Sequence, residues 1–304
     1  MLVGLTTLGS NRNRTEFPAR IGSVSVLYSG RLEGSTEICR LLGYAAAEEI
    51  SAESILGGLQ CQAFLDMGRL HADGWGTASV SRLDQPSVVR TRDTAAGHVR
   101  GTDAAAALTQ SVIARIFHLR QASPEFAICL ENTHPFLVDG VAFAHNGALT
   151  PVDKLRGQVH EAALADVEGQ TDSELYFALV RQNQSEHDSL LGAIVESARQ
   201  LRRDYARGSL NALVLTTGEL VCVHASVNSR VPDGYFESRG VSAADIPPDH
   251  DGSAYYQMFE KRLTDGSIIF ASSGIDTDGW QPLPAETVTS VNLKTFEVLR
   301  ESLA

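Results

Sequence analysis

The sequence predicts an α+β protein in which two antiparallel sheets carry helices on their outer faces. Three observations predict it. Strand-like segments precede the Asn146-Gly147 turn, two amphipathic helices fill the stretch that follows, and beyond Tyr205 the period returns to that of strands, in hairpin-like pairs. Strands, then helices, then strands again, without regular alternation of the two, favour antiparallel pairing.

The elements can be justified in chain order. Cys39 to Tyr44 is apolar and strand-like, and His71-Ala72-Asp73-Gly74-Trp75-Gly76 is a glycine-punctuated turn entering a strand from Thr77 to Leu83. Asp103 to Gln110 is an alanine-rich helix, and Val112 to Arg120, rich in Ile and Phe, is a strand. Val141 to His145 is a short strand stopped by Asn146-Gly147. Thr171-Asp172-Ser173-Glu174 has the form of a capping box, in which the Thr171 hydroxyl and the Glu174 carboxylate satisfy opposite backbone donors. Leu175, Ala178, Leu179 and Gln182 follow at helical spacing. A second helix spans Asp188 to Tyr205, with Leu190, Leu191, Ile194, Val195, Ala198 and Leu201 on one face. Leu210 to Thr216 and Glu219 to Ala225 flank a Thr217-Gly218 turn, and Tyr255 to Leu263 and Ser267 to Ser272 flank Asp265-Gly266. Thr287 to Asn292 and Thr295 to Arg300 close the chain as a third pair, whereas Val227 to Gly252 reads as a long irregular loop.

Composition narrows the partners. A net charge of -12 argues against a general nucleic-acid ligand, because phosphate binding needs a basic surface. No apolar run approaches the ~18 residues that span a bilayer, so no membrane role is expected. Cys39, Cys61, Cys129 and Cys222 are widely spaced and form no CxxC pair, which excludes a disulfide framework and points to the reducing cytoplasm. Residues 1–38 have no clear periodicity and read as a weakly ordered leader, with residues 39–304 forming the domain. The leader's best apolar stretch, Ile21 to Tyr28, is broken by Gly22, Ser23 and Ser25, and Ser35-Thr36-Glu37-Ile38 is a poor cleavage site for a secretory signal. Two explanations stay open: a propeptide removed before Cys39, or a start assigned too far upstream, which we favour.

The hexapeptide Cys39-Arg40-Leu41-Leu42-Gly43-Tyr44 resembles the opening of the class II glutamine amidotransferases, whose mature chains begin at the cysteine. The resemblance spans nearly all of 39–304 and implies a four-layered αββα sandwich of the N-terminal-nucleophile (Ntn) hydrolase type. It also implies cleavage of a γ-glutamyl amide, from glutamine or a γ-glutamyl small molecule, through a cysteine thioester. In that scheme Cys39 is the nucleophile and its own α-amine is the base. A free α-amine has a pKa near ~8, whereas the peptide nitrogen that follows Ile38 is not basic. Asn146 and Gly147, in Ala144-His145-Asn146-Gly147, match the family's oxyanion hole, supported by Asn132-Thr133-His134-Pro135-Phe136 upstream. Arg120, in His118-Leu119-Arg120-Gln121-Ala122-Ser123, matches the arginine that grips the substrate α-carboxylate. Asp172 matches the partner of the α-ammonium, and Gly74, Trp75 and Gly76 match the loop that lines the glutamine pocket.

Each of these residues also has a plainer role. Cys39 is of a type that is most often buried and inert, Asn-Gly is the best tight-turn dipeptide, and an aspartate in a helix's first turn is stabilised by the helix dipole. Asp73 reads as a turn former, Trp75 as core, His118 as orienting Arg120 or its loop, and Ser272 and Ser273 as structural. A metal site from His71 and Asp73 with His134 or His145 has the wrong spacing, and no metal or organic cofactor is implied. The expectation is a small, stand-alone amidohydrolase that releases ammonia, with a possible acceptor protein, or an amine. The alternatives are a γ-glutamyl hydrolase of a small-thiol or ergothioneine-type pathway, a non-catalytic regulatory subunit, and a conventional Cys–His hydrolase using His71 or His145.

Overall fold

A computed structural model describes residues 38–82, 85–98, 103–247, 249–250 and 252–304. The leader expectation, Ile38 excepted, therefore lies outside the described residues, as does Leu83 at the end of one expected strand. The strands are β1 (Arg40–Ile50), β2 (Trp75–Val80), β3 (Val88–Asp93), β4 (Val112–Leu119), β5 (Phe136–Val138), β6 (Val141–Asn146), β7 (Asn211–Leu215), β8 (Glu219–His224), β9 (Met258–Arg262), β10 (Ile268–Ser272), β11 (Gln281–Pro282), β12 (Thr287–Asn292) and β13 (Val298–Ser302). The helices are α1 (Ala52–Leu56), α2 (Gly58–Asp66), α3 (Asp103–Thr109), α4 (Val152–Arg156), α5 (Glu161–Leu164), α6 (Asp172–Gln184), α7 (Leu190–Asp204) and α8 (Tyr235–Ser238).

One sheet has the order β11-β9-β10-β1-β4-β2-β3 and the other β13-β12-β8-β7-β6-β5. Every strand pairing is antiparallel, and each expected hairpin is present. The period-2 alternation of strand side chains sorts the molecule into layers. Along β1, Leu41 and Ala45 pack between the sheets with Ala142, Ala144 and Leu213, while Leu42 and Tyr44 point the other way. That outer face is covered by Ile55 of α1, Phe64 of α2 and Leu108 of α3. On the second sheet the outer face, with Phe143 and Val214, is covered by Leu175 and Leu179 of α6 and Ile194 and Leu201 of α7. Helices, sheet, sheet and helices make four layers.

The helix starts follow local chemistry. Thr171 is the N-cap of α6, its Oγ1 accepting from the Glu174 N–H at 3.2 Å. The capping box is not closed as the sequence suggests. The Glu174 carboxylate reaches further back and accepts from the N–H groups of Glu168 (2.8 Å) and Gly169 (2.7 Å), because the preceding chain curls beneath it. Ser189 caps α7 by accepting from Gly192 N–H at 3.1 Å. Among the described residues no helix is long and apolar enough to cross a membrane.

Candidate active site

Strand parity assembles the site. Cys39 immediately precedes β1 and shares the inward parity of Leu41, while Asn146 ends β6 with the inward parity of Ala142 and Ala144. The two residues therefore project into the inter-sheet layer from opposite sheets, at the same end of the sandwich. They meet there: the Cys39 backbone N–H donates to Asn146 Oδ1 at 2.9 Å across 107 residues of sequence. Since a backbone N–H can only donate, this bond fixes the amide's orientation and leaves Nδ2 as the outward donor. That Nδ2 is buried and, among the described residues, has no hydrogen-bond partner.

The same parity carries β4 to this end. Arg120 lies one residue beyond β4, and its neighbour Gln121 places its carbonyl oxygen 3.9 Å from Cys39 Sγ. The Arg120 backbone is pinned to the glycine turn, its N–H donating to the Gly74 carbonyl (2.8 Å) and its carbonyl accepting from the Asp73 N–H (3.0 Å). Among the described residues its buried guanidinium reaches only two carbonyl oxygens, of Asp73 and Ala127, both at 3.5 Å. Among the described residues its Nε has no partner and no carboxylate lies within 4 Å, so a buried cation is left without a counter-ion. Leaving a buried charge unpaired is costly unless something else supplies the opposite charge.

Asp172 mirrors that situation with the opposite sign. One carboxylate oxygen accepts from the Leu149 N–H at 2.5 Å, which ties the aspartate to the loop that follows Asn146 and Gly147. The other oxygen is buried and has no partner among the described residues. Burial pushes Asp172 up to about 6, against the backbone N–H groups of Leu149 and Ser173, which pull it down. A folded-state value above the unfolded 3.8 means the native protein holds more protons than the unfolded chain between about pH 4 and pH 6. This contribution to stability is present at the acid end and is lost as pH rises through about 6. Asp172→Asn should therefore be more stable than the parent at pH 8, by on the order of 2–3 kcal/mol, and should converge with it near pH 4. Urea unfolding of both proteins across that range measures the difference; a constant offset would contradict it.

The other expected site residues divide. Gly76 is required by close approach, since a Cβ there would lie 2.1 Å from the His134 carbonyl oxygen. Gly147 is equally constrained, with a Cβ 2.1 Å from the Ser209 carbonyl oxygen. Gly74 has φ +130, a conformation that favours glycine. Trp75 has the opposite parity and packs its side chain against the helices with Leu42, Phe117 and Leu119, so only its backbone stays on the site's side. Asp73 does more than form a turn: its carboxylate accepts from Gln121 Nε2 (2.6 Å) and Ala122 N–H (2.9 Å), bracing the segment after Arg120. His118 does not orient Arg120; its Nε2 bonds the His145 carbonyl oxygen at 3.0 Å, linking the two sheets instead.

Neither histidine of the conventional alternative is poised as a base. His145 has both ring nitrogens engaged, by Ser173 Oγ (2.9 Å) and the Ser209 carbonyl oxygen (2.8 Å), and burial lowers it to about 4. His71 Nε2 accepts from Arg40 Nε at 3.2 Å, and burial, with the Arg40 charge, holds it well below the ordinary histidine range. Among the described residues no group of three or more His, Cys, Asp or Glu is placed to hold a metal.

The residues behind Cys39 escaped the sequence reading. Tyr255 Oη donates to the Cys39 carbonyl at 2.9 Å, and the Arg40 guanidinium carbon sits 3.4 Å from the centre of the Tyr255 ring. Arg40 Nη1 also donates to the Ser273 hydroxyl (2.9 Å), and Ser272 Oγ accepts from the Leu41 N–H (3.0 Å). Ser209 Oγ donates to the Asn146 carbonyl at 2.7 Å. Only the serine pair had drawn notice from sequence, and nothing local marks Tyr255, 216 residues from its partner.

Comparison with known proteins follows from this geometry. A family model described as glutamine amidotransferases class-II matches residues 38–232. The glutamine–fructose-6-phosphate aminotransferase (isomerizing) of Acinetobacter baylyi is 29% identical over 177 residues, 57% of this chain and 26% of that protein. Its counterpart from Xylella fastidiosa is 27% identical over 173 residues, 56% of this chain and 26% of that protein. The chain thus spans about a quarter of the length of these curated relatives. Among solved structures, a glutamine aminotransferase class-II domain protein from Silicibacter pomeroyi superposes with a TM-score of 0.54 at 16% identity, covering 88% of this chain and all of the other. The glutamine phosphoribosylpyrophosphate amidotransferase of B. subtilis does so with a TM-score of 0.58 at 16% identity, covering 88% of this chain and 49% of the other. At that identity the two structures share the fold.

Proposed function

The chain belongs to the class II glutamine amidotransferases, and from that premise we propose that it hydrolyses a γ-glutamyl amide through a thioester on Cys39. The observation that carries the proposal is the Cys39 N to Asn146 Oδ1 hydrogen bond. It supports the reading because it holds the nitrogen of the thiol-bearing residue against a side chain whose Nδ2 has no partner among the described residues.

The nitrogen works as a base only when no residue is bonded to it. The active form is therefore a chain that begins at Cys39, whether residues 1–38 are removed or are never translated. The α-amine then takes the thiol proton, and the sulfur bonds the γ-carbonyl carbon. The oxygen becomes an oxyanion facing Asn146 Nδ2 and the Gly147 N–H. As the tetrahedral centre collapses, the C–N bond breaks and the ammonium of Cys39 returns its proton to the leaving nitrogen. Water, deprotonated by the same amine, then cleaves the thioester, releasing glutamate and restoring the thiol.

Arg120 and Asp172 complete the substrate's side of the site. The guanidinium without a counter-ion suits the α-carboxylate, and a planar fork grips a carboxylate as lysine cannot. The partly protonated Asp172 suits the α-ammonium, whose arrival would draw it back to the ionised state. Gly74 and Gly76 allow backbone to approach the ligand. With no disulfide among Cys39, Cys61, Cys129 and Cys222, a reducing compartment, the cytoplasm, fits the chemistry. If the product is ammonia, an acceptor protein would take it up.

The test is direct. The 266-residue form, 304 − 38, beginning at Cys39 should release glutamate from L-glutamine in a coupled dehydrogenase assay. A folded but silent protein toward glutamine and simple γ-glutamyl amides would remove the proposal.

A further inference from the structure

Ile38 is fully buried at the edge of the candidate site. It packs in an apolar cluster with Leu70, Val231, Phe236, Tyr255 and Tyr256, which is separate from the three large core clusters. Its carbonyl carbon is bonded to the Cys39 nitrogen, so in a chain that begins at Cys39 the volume of residue 38 opens directly onto the α-amine. That amine must hand a proton to the leaving nitrogen and so must lie within hydrogen-bond reach of it, ~3 Å. Whatever substituent the leaving nitrogen carries then extends into the space residue 38 held.

Leu70, Val231 and Phe236 present apolar surface to the Ile38 side chain. A cavity of about 230 Å³ shares Val231, Tyr235, Phe236 and Ile246 with the cluster, and Glu237 and His250 line it as well. Most of this wall comes from the stretch after Pro232, where the match to the family model ends. Ammonia would leave the volume beside Leu70, Val231 and Phe236 unfilled.

We propose that the Ile38 position is a subsite for an apolar substituent on the leaving amine, so that the preferred substrate is a γ-glutamyl amide of a branched aliphatic amine rather than glutamine. The inference rests on the reading that Cys39 acts with a free α-amine. Ile38 itself, four side-chain carbons packed among Leu70, Val231 and Phe236, is the template for the group that fits.

The test uses the chain beginning at Cys39 and follows glutamate release from four compounds. These are L-glutamine, γ-glutamyl methylamide, γ-glutamyl isobutylamide and, as a polar control, γ-glutamyl 2-hydroxyethylamide. Burying a branched four-carbon group should raise kcat/KM for the isobutylamide ~10- to 100-fold over glutamine, with the polar control below it. Val231→Phe, which fills the space, should lower kcat/KM for the isobutylamide at least ~10-fold more than for glutamine. If glutamine or the polar control is turned over as well as the isobutylamide, the inference falls while the amidohydrolase reading stands. If none of the four releases glutamate, both fall together. The substrate series decides the matter even if the variant does not fold.

Discussion

Adding one glycine ahead of Cys39 in the 266-residue chain should cut glutamate release by ~1,000-fold or more, although the thiol, the oxyanion donors and the fold are all retained. The argument is local to one atom. In the extended chain the Cys39 nitrogen is an amide, which can still donate to Asn146 Oδ1 at 2.9 Å but cannot accept the thiol proton. No neighbour can substitute for it readily. His145 is engaged at both nitrogens, and His71 is turned to Arg40. Alkylation with iodoacetamide provides the control, since the extended chain should still react at Cys39 while turnover is gone. Retention of turnover in the extended chain would show that another group serves as base, and the N-terminal mechanism would be excluded.

Asn146→Ala should lower kcat ~100- to 1,000-fold with a much smaller change in KM. The reason is the division of labour within one side chain. Oδ1 accepts from the Cys39 nitrogen and orients it, and Nδ2, buried and without a partner among the described residues, can stabilise only a charge that develops during reaction. An unpaired buried donor costs ~1–3 kcal/mol in the resting protein, so the alanine variant should not be less stable by urea unfolding than the loss of the Cys39 contact accounts for. A variant with wild-type kcat and a raised KM would assign Asn146 to ground-state binding instead.

Much of this arrangement is written locally, and the rest is not. The α6 start was legible because the Thr171 cap acts over three residues, whereas the true partners of the Glu174 carboxylate depend on the path of Glu168 and Gly169. Strands β4, β7, β8 and β10 are apolar and bounded by turns, so their period shows. Strand β3 was missed because Val88 to Asp93 is a charged, partly exposed edge, and β5 because it is only three residues long. Helices α1 and α2 were missed because Gly57 and Gly58 interrupt them, with Gly57 at φ 90. In the site, the motifs marked Cys39, Arg120, Asn146, Gly147 and Asp172 as candidates. Their roles remain proposals, but parity places Cys39, Arg120 and Asn146 at one end of one layer, while Gly147 has the opposite parity and lies against the Ser209 carbonyl oxygen. Trp75 sat in the same motif as Gly74 and Gly76, yet alternation turns its ring outward. Tyr255, Arg40 and Ser209 were invisible because their contacts cross between elements far apart in sequence.

The bond from Cys39 to Asn146 has a corollary for residues that do no chemistry. Neither sheet owns the proposed reaction centre; that centre exists only as a spacing between two surfaces. That spacing is gauged by the alanines facing one another across the seam, Ala45, Ala78 and Ala114 on one side and Ala142 and Ala144 on the other. Their small size lets the sheets close to the distance at which a single hydrogen bond can bridge them. Tolerance to a heavier side chain at these places is thus governed by alignment tens of atoms away, and the interior of the sandwich serves as the ruler for its own mouth.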